Sequence, residues 1–117
     1  MNKVLKDFLK TRINLSQFKK ELGDNLYNVK VEKAQIVCSQ DLILLINQYL
    51  DHKRTLQEVV EWVNVIWFTD LYEYNPLEED SIASVMSALE TLDEEGVQFS
   101  KEDFLEMIKC LTNNTEY

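Results

Sequence analysis

The chain has 117 residues, 45% of them hydrophobic, which is enough for one domain to close a core without disulfides or metals. It contains only 2 glycines and 1 proline, so few turns fit and a helical fold is favoured. The longest apolar run, Leu42 to Ile46, is too short to cross a bilayer, and the N-terminus shows no cleavable signal pattern. We therefore expect a single all-α domain over residues 1–117, soluble and cytoplasmic.

The formal net charge is −9, and it is distributed very unevenly. Residues 1–54 carry ten Lys or Arg and six Asp or Glu, whereas residues 55–117 carry two and fifteen. Between Thr55 and Ser100 there are eleven carboxylates and no Lys or Arg. Such a segment repels nucleic acid and attracts basic proteins. We expect a protein partner, and neither direct nucleic-acid binding nor membrane association.

Helical periodicity predicts an antiparallel bundle of five to six helices. The first three are expected over residues 2–12, 15–27 and 39–51, and the apolar run of the third suits a helix at the centre of the bundle. Residues 28–39 are ambiguous, because Val29 and Val31 alternate as they would in a strand. We interpret this segment as a loop that enters the third helix.

The remaining helices are expected over residues 55–75, 76–95 and 101–111, with residues 112–117 as a frayed tail. Asn75-Pro76 separates the first two of these, because the residue before a proline disfavours the helical region. Gly96 is expected to supply the left-handed turn after the second. Capping boxes are predicted for three helix starts, pairing Asn14 with Gln17, Thr55 with Glu58 and Ser100 with Asp103.

Two apolar stripes run along the predicted helix over residues 55–75. One consists of Val59, Trp62, Val63 and Ile66, and the other of Val60, Trp67, Leu71 and Tyr74. Two stripes imply burial on two sides, so both tryptophans are expected in the core.

The candidate partner-binding residues are expected to flank one exposed ridge at the turn after this helix. Tyrosine is a common interface anchor, and clustered carboxylates accelerate association with a basic protein. The alternative is a solvated acidic surface that only keeps the protein soluble. The predicted ridge consists of Asp70, Glu73, Tyr74, Glu78, Glu79 and Asp80.

Enzymatic and metal-binding functions have no positive support in the sequence. The single histidine, His52, lies in a polar turn, and Cys38 and Cys110 form neither a C-x-x-C motif nor a disulfide framework. Residues 91–102 resemble a calcium loop at only some positions, since Thr91 stands where Asp is required. Phosphate loops, nucleophile elbows and zinc spacings are absent. We expect no catalytic activity, cofactor or metal.

The segment Phe8-Leu9-Lys10-Thr11-Arg12-Ile13, followed by Phe18, resembles the first hairpin of the colicin D type immunity proteins. In both, the first helix ends in a basic residue and isoleucine, and an aromatic residue follows a turn later. The later acidic helices resemble the immunity proteins of contact-dependent growth inhibition systems. The resemblance implies binding to the toxic C-terminal domain of a cognate bacterial toxin, often a basic tRNA-cleaving nuclease. It also implies that carboxylates of the immunity protein block the active site of the toxin by taking the place of RNA phosphates. It assigns no binding residues.

Two functions from different classes therefore stand side by side, with a small hydrolase as a weaker third. The first is an immunity protein that neutralises a nuclease toxin, and the alternative is an acidic regulatory adaptor that sequesters a basic nucleic-acid-binding protein. A toxin reading frame immediately upstream would favour the first, and an isolated regulatory operon the second. The charge distribution leaves open whether the basic N-terminal half or the acidic second half makes the main contacts.

Overall fold

The structure, a computed structural model, describes residues 2–117 and consists mainly of six α-helices. The helices are α1 (Asn2–Leu9), α2 (Leu15–Leu22), α3 (Ser39–Leu50), α4 (Leu56–Phe68), α5 (Glu79–Glu90) and α6 (Lys101–Asn113). The shorter elements are two 3-10 helices, Leu26–Asn28 and Thr91–Asp93, and two strands, β1 (Gln35–Val37) and β2 (Tyr72–Tyr74). The predicted helical architecture is confirmed, but the purely all-α class is wrong.

The two strands form a small parallel sheet in which Gln35 pairs with Tyr72 and Val37 with Tyr74. β1 lies within residues 28–39, the segment interpreted as a loop entering α3. β2 lies within the helix predicted over residues 55–75. Both strands combine bulky or β-branched residues with a polar neighbour, a pattern that favours extended structure when a partner strand is within reach.

The fourth helix ends at Phe68 rather than at Asn75, and Thr69 accounts for the early stop. The Thr69 backbone is extended, with φ −110° and ψ 164°. Its hydroxyl donates a hydrogen bond to the Val65 carbonyl at 2.6 Å and accepts one from the Leu71 N–H at 3.4 Å. A side chain that bonds its own backbone in this way competes with the helix. The chain is thus released into β2 instead of continuing to Pro76.

All three predicted capping boxes are confirmed. In each, the side chain of the N-cap residue accepts the N–H of the third helical residue, whose side chain accepts the N-cap N–H in return. Helix α3 starts with a related bond that was not predicted, since the Cys38 N–H donates to an Asp41 carboxylate oxygen at 2.8 Å. These bonds satisfy N–H groups that a helix start leaves unpaired.

Four other helix ends differ from the predicted ones. Thr11 has a positive φ of 62°, so α1 stops before Arg12, and Gly23 with φ 99° ends α2 before Tyr27. Helix α5 begins at Glu79 and ends at Glu90, so Gly96, with the predicted positive φ of 83°, lies in the following loop.

The end of the last helix also departs from prediction, since α6 extends two residues past Leu111. The residues that follow α6 are hydrogen-bonded to α5. The Asn114 side chain bonds Ser81 at 3.0 Å, and the Tyr117 N–H bonds the Ser84 hydroxyl at 2.9 Å.

The core joins all six helices, and α1 is tied across it by two side-chain hydrogen bonds from distant elements. Trp62 is only 3% exposed and donates its indole N–H to the Leu9 carbonyl at 3.2 Å. Tyr72 donates its hydroxyl to the Leu5 carbonyl at 2.6 Å. Within residues 2–117, none of the helices has the length and apolar character that crossing a bilayer requires. The arrangement leaves the end of α4, β2 and the start of α5 side by side at the surface.

Candidate protein-binding site

A groove of about 320 Å³ lies where the end of α4 meets strand β2 and helix α5. Its walls combine aromatic rings, a carboxylate and a small residue of α5, which lets the groove open between the two helices. The lining residues are Ile66, Trp67, Thr69, Tyr72, Glu73, Tyr74 and Ala83. Two residues of the predicted ridge, Glu73 and Tyr74, are among them.

Strand alternation gives the three residues of β2 different environments. Tyr72 is buried, and burial raises the pKa of its hydroxyl well above the usual value. Glu73 is exposed, and no other group of residues 2–117 forms an ion pair or hydrogen bond with its carboxylate. Tyr74 is half-buried, and burial also raises its pKa, so its ring and hydroxyl remain neutral at physiological pH. The strand therefore presents one free anion beside aromatic surface.

The second edge of β2 faces away from its partner strand. The Gln35 N–H donates to the Leu71 carbonyl at 2.9 Å, and the Asn75 N–H donates to the Val37 carbonyl at 2.8 Å. Because backbone groups of successive strand residues point to alternate edges, this register directs those of Tyr72 and Tyr74 away from β1. Their carbonyl oxygens therefore do not bond β1.

Glu79 and Asp80 stand beside the groove because of helix geometry. Glu79 precedes the groove residue Ala83 by four positions and Asp80 precedes it by three, so both lie on the same face of α5. Both side chains are exposed. The first turn of a helix is also where carboxylates are stabilised by the helix dipole, which is consistent with these two positions.

Asp70 lies in the loop just before β2 and is the predicted ridge residue with an ion partner. Its carboxylate is 3.8 Å from the Lys30 ammonium group, and the two side chains are 80% and 81% exposed. A pair this exposed contributes little to stability and is readily exchanged for another partner. Asp70 is therefore available at the rim of the site.

Glu78 does not belong to the exposed ridge. Its Oε1 atom accepts the Ser39 N–H at 3.1 Å and the Asn75 side-chain N–H at 3.2 Å, which joins the start of α5 to the start of α3. The side chain is only half-exposed. From the sequence, Glu78, Glu79 and Asp80 look equivalent, and only the position of α3 in the folded chain separates the first from the other two.

Trp67 is the site residue that sequence reasoning missed. It was expected in the core with Trp62, but 38% of its surface is exposed, and its neighbour Phe68 is 49% exposed. The two rings lie 6.1 Å apart, centroid to centroid, and are tilted by 39°. Placing Trp67 in the core is therefore wrong, whereas placing Trp62 there is confirmed. The signal that could have indicated this exposure is Thr69-Asp70, because the helix stops there and Trp67 is left in its last, exposed turn.

The carboxylates from Glu73 onward lack cationic partners inside the described chain. Of the twelve Asp and Glu between Glu73 and Glu116, none lies in an ion pair with a cation of residues 2–117. Only Glu78 and Asp103 accept a backbone hydrogen bond. Burial, followed by the charges of Asp103, Cys110 and Glu106, raises the pKa of Tyr117, which marks the same negative field beside α6.

Metal and thiol chemistry receive no geometric support within residues 2–117. No three His, Cys, Asp or Glu side chains of that range converge to hold a metal ion. Cys38 and Cys110 are both free thiols, at separate places in the fold. What the site can do is hold a positively charged group against aromatic surface.

Comparisons of the chain with protein-family models, with curated proteins and with solved structures give no match.

Proposed function

We propose that the chain is an immunity protein that binds and neutralises the toxic C-terminal domain of a cognate bacterial toxin. A basic RNA-cleaving nuclease is the toxin class that fits the surface best. The observation that carries the proposal is the set of carboxylates from Glu73 to Glu116 without internal cations, next to an exposed aromatic groove. The resemblance of residues 8–18 to the first hairpin of colicin D type immunity proteins supports the same function.

The surface would act at two stages of binding. Unpaired carboxylates steer a basic protein toward this side of the molecule, which raises the association rate. After docking, Glu73, Glu79 and Asp80 would occupy sites that the nuclease uses for RNA phosphates, while Trp67 and Tyr74 supply apolar contact area. Inhibition of this kind needs no catalytic step, cofactor or metal in the chain. It would take place in the cytoplasm, where a nuclease toxin meets RNA.

The test is a growth experiment with the C-terminal domain encoded by the reading frame immediately upstream. That domain is expressed in a bacterial host alone or together with the chain. We expect growth arrest and RNA cleavage from the domain alone, and normal growth with intact RNA when the chain is present.

Two triple variants locate the effect on the surface. E73K/E79K/D80K reverses the charges around the groove and should abolish rescue. D93K/E94K/E95K changes the net charge by the same amount on three exposed residues that lie beyond the C-terminal end of α5, and it should preserve rescue. The unfolding temperatures of both variants, compared with that of the wild type, distinguish a loss of rescue from a loss of the fold.

Two outcomes would overturn the proposal. One is growth arrest that persists in the presence of the folded wild-type chain. The other is an upstream product that is harmless, combined with capture of a nucleic-acid-binding regulator that loses DNA or RNA when the chain is added. The second result would establish the regulatory adaptor instead.

A further inference from the structure

Exposure of Trp67 is costly unless something covers it. The middle of α4, from Val59 to Ile66, buries its apolar residues, and Trp62 is 3% exposed against 38% for Trp67 and 49% for the neighbouring Phe68. Large exposed aromatic side chains beside a polar rim mark interaction sites more often than ordinary surface. Trp67 also lines the groove, so its exposed surface borders a concave site.

The charges around the groove select the kind of group that can enter it. Glu73 lines it, and Glu79 lies one helical turn before the lining residue Ala83. Neither carboxylate has an ion pair within residues 2–117. Lys30 is the one cation of that range that pairs with the predicted ridge, and its partner Asp70 lies outside the lining. An incoming cation therefore meets unpaired negative charge.

The aromatic walls and backbone acceptors distinguish arginine from lysine. A guanidinium is planar, stacks on an aromatic face and offers five N–H donors in a fork that matches a carboxylate. The indole of Trp67 is the best of the natural rings for binding a cation. The Tyr74 carbonyl, which the strand register directs away from β1, can accept a further N–H group. An ammonium group is more strongly hydrated and cannot stack in this way.

We propose that the groove is an arginine pocket, in which a guanidinium of the partner lies against Trp67 and pairs with Glu73. This inference rests on the proposed function, because it assumes that the partner is a basic protein. It adds that an arginine side chain of that partner is the residue held in the groove. Tyr74 forms the opposite apolar contact, and Glu79 and Asp80 hold the positive charge at the mouth.

The test uses the wild-type chain and two peptides of equal charge, hexa-arginine and hexa-lysine. Nitrogen-15 NMR follows the two indole N–H signals, which are assigned with Trp67→Leu. Because the Trp62 indole is buried and bonded to the Leu9 carbonyl, its signal is an internal control. We expect hexa-arginine to shift the Trp67 signal with saturation while the Trp62 signal stays in place.

Calorimetry then measures the preference between the two peptides. We expect hexa-arginine to bind about tenfold more tightly than hexa-lysine, an advantage typical of a stacked guanidinium with a carboxylate partner. Trp67→Leu should reduce the ratio to about one without weakening hexa-lysine binding. Phe68→Leu, a change at an exposed ring outside the groove lining, should keep the ratio.

Equal affinities for the two peptides would overturn the arginine pocket, as would a preference that survives Trp67→Leu. A shift of the Trp62 signal together with that of Trp67 would mean a general structural change and would also contradict it. These outcomes are separate from the fate of the proposed function. A chain that neutralises no toxin can still show the peptide preference, and a chain that rescues growth can lack it.

Discussion

The two halves of the chain use their charges differently. In residues 2–54, five cations form ion pairs, namely Lys3, Lys10, Arg12, Lys30 and Arg54, and together they account for all the ion pairs of residues 2–117. In residues 55–117, only Glu58 and Asp70 take part in such pairs. Half of the ten Lys and Arg residues of the first half are thus paired with carboxylates of the chain itself. The negative charges of the second half remain available to another molecule.

Lys10 and Arg54 show how the first half uses its cations. Lys10 forms an ion pair with Asp41, which is 1% exposed and also accepts the Cys38 N–H at the start of α3. Arg54 donates hydrogen bonds to the Thr11 carbonyl and to the Gln48 side chain. Both residues therefore join the α1–α2 turn to α3 or to the turn that follows it. This contrast favours the acidic second half as the surface that contacts a basic partner.

The largest effect on stability is expected from Asp41→Ala. It removes a buried carboxylate, leaves Lys10 without its counterion and takes away the bond to the Cys38 N–H, at a cost of about 3 kcal/mol in the free energy of unfolding. Asp70→Ala is the matched control, because its pair with Lys30 is exposed, and it should cost less than about 0.5 kcal/mol. Urea denaturation measures both. Equal losses in the two variants would mean that the halves do not differ as described.

An intermediate effect is expected from Glu78→Ala. The change removes a carboxylate that accepts one hydrogen bond from the start of α3, at Ser39, and one from the Asn75 side chain, so we expect a loss of about 1.5 kcal/mol. Glu79→Ala alters the adjacent exposed carboxylate and should cost only a few tenths of a kcal/mol, from the helix dipole. Thermal unfolding at one pH compares the two. If Glu78→Ala weakens partner binding more than Glu79→Ala while leaving stability unchanged, Glu78 belongs to the interface after all.

The smallest effect appears at alkaline pH and involves Tyr72. Burial raises the pKa of the Tyr72 hydroxyl in the folded state above the unfolded value of about 10. The contribution of this burial to the free energy of unfolding is therefore fully present below pH 10 and is lost as the pH rises further. Tyr72→Phe should cost about 1 kcal/mol at neutral pH, because the Leu5 carbonyl loses its hydrogen bond. Between about pH 9 and pH 11, one unit on each side of the ordinary tyrosine pKa, the variant should then lose less stability than the wild type. Parallel pH profiles would contradict this assignment.

Local signals in the sequence predict the helices and their starts well. Asn14, Thr55 and Ser100 act within their own first turns, so their bonds do not depend on the rest of the fold. The Trp62 stripe is likewise a local periodic pattern, and burial of that side chain follows it. The elements that depend only on neighbouring residues are therefore the ones that can be predicted from the sequence.

The sheet and part of the site depend on contacts between distant segments. β2 was assigned to a helix because its aromatic residues continue the apolar stripe of α4, whereas pairing with Gln35–Val37 fixes it as a strand. Glu78 was grouped with Glu79 and Asp80 because the three residues are alike in the sequence. What separates Glu78 is its hydrogen bond with Ser39, at the start of α3 and thirty-nine residues earlier in the chain. Trp67 follows the same rule, since its exposure depends on where α4 stops. Periodicity carries no information on such pairings.

We propose that the acidic groove, and not net charge alone, holds the partner. The most direct measurement is the dissociation constant of the toxin domain for the wild type, for E73K/E79K/D80K and for D93K/E94K/E95K, at the same ionic strength. We predict a loss of at least about 100-fold for the groove variant and less than about tenfold for the distant one, which alters only long-range steering. Equal losses in the two variants, or none in the groove variant, would contradict the claim.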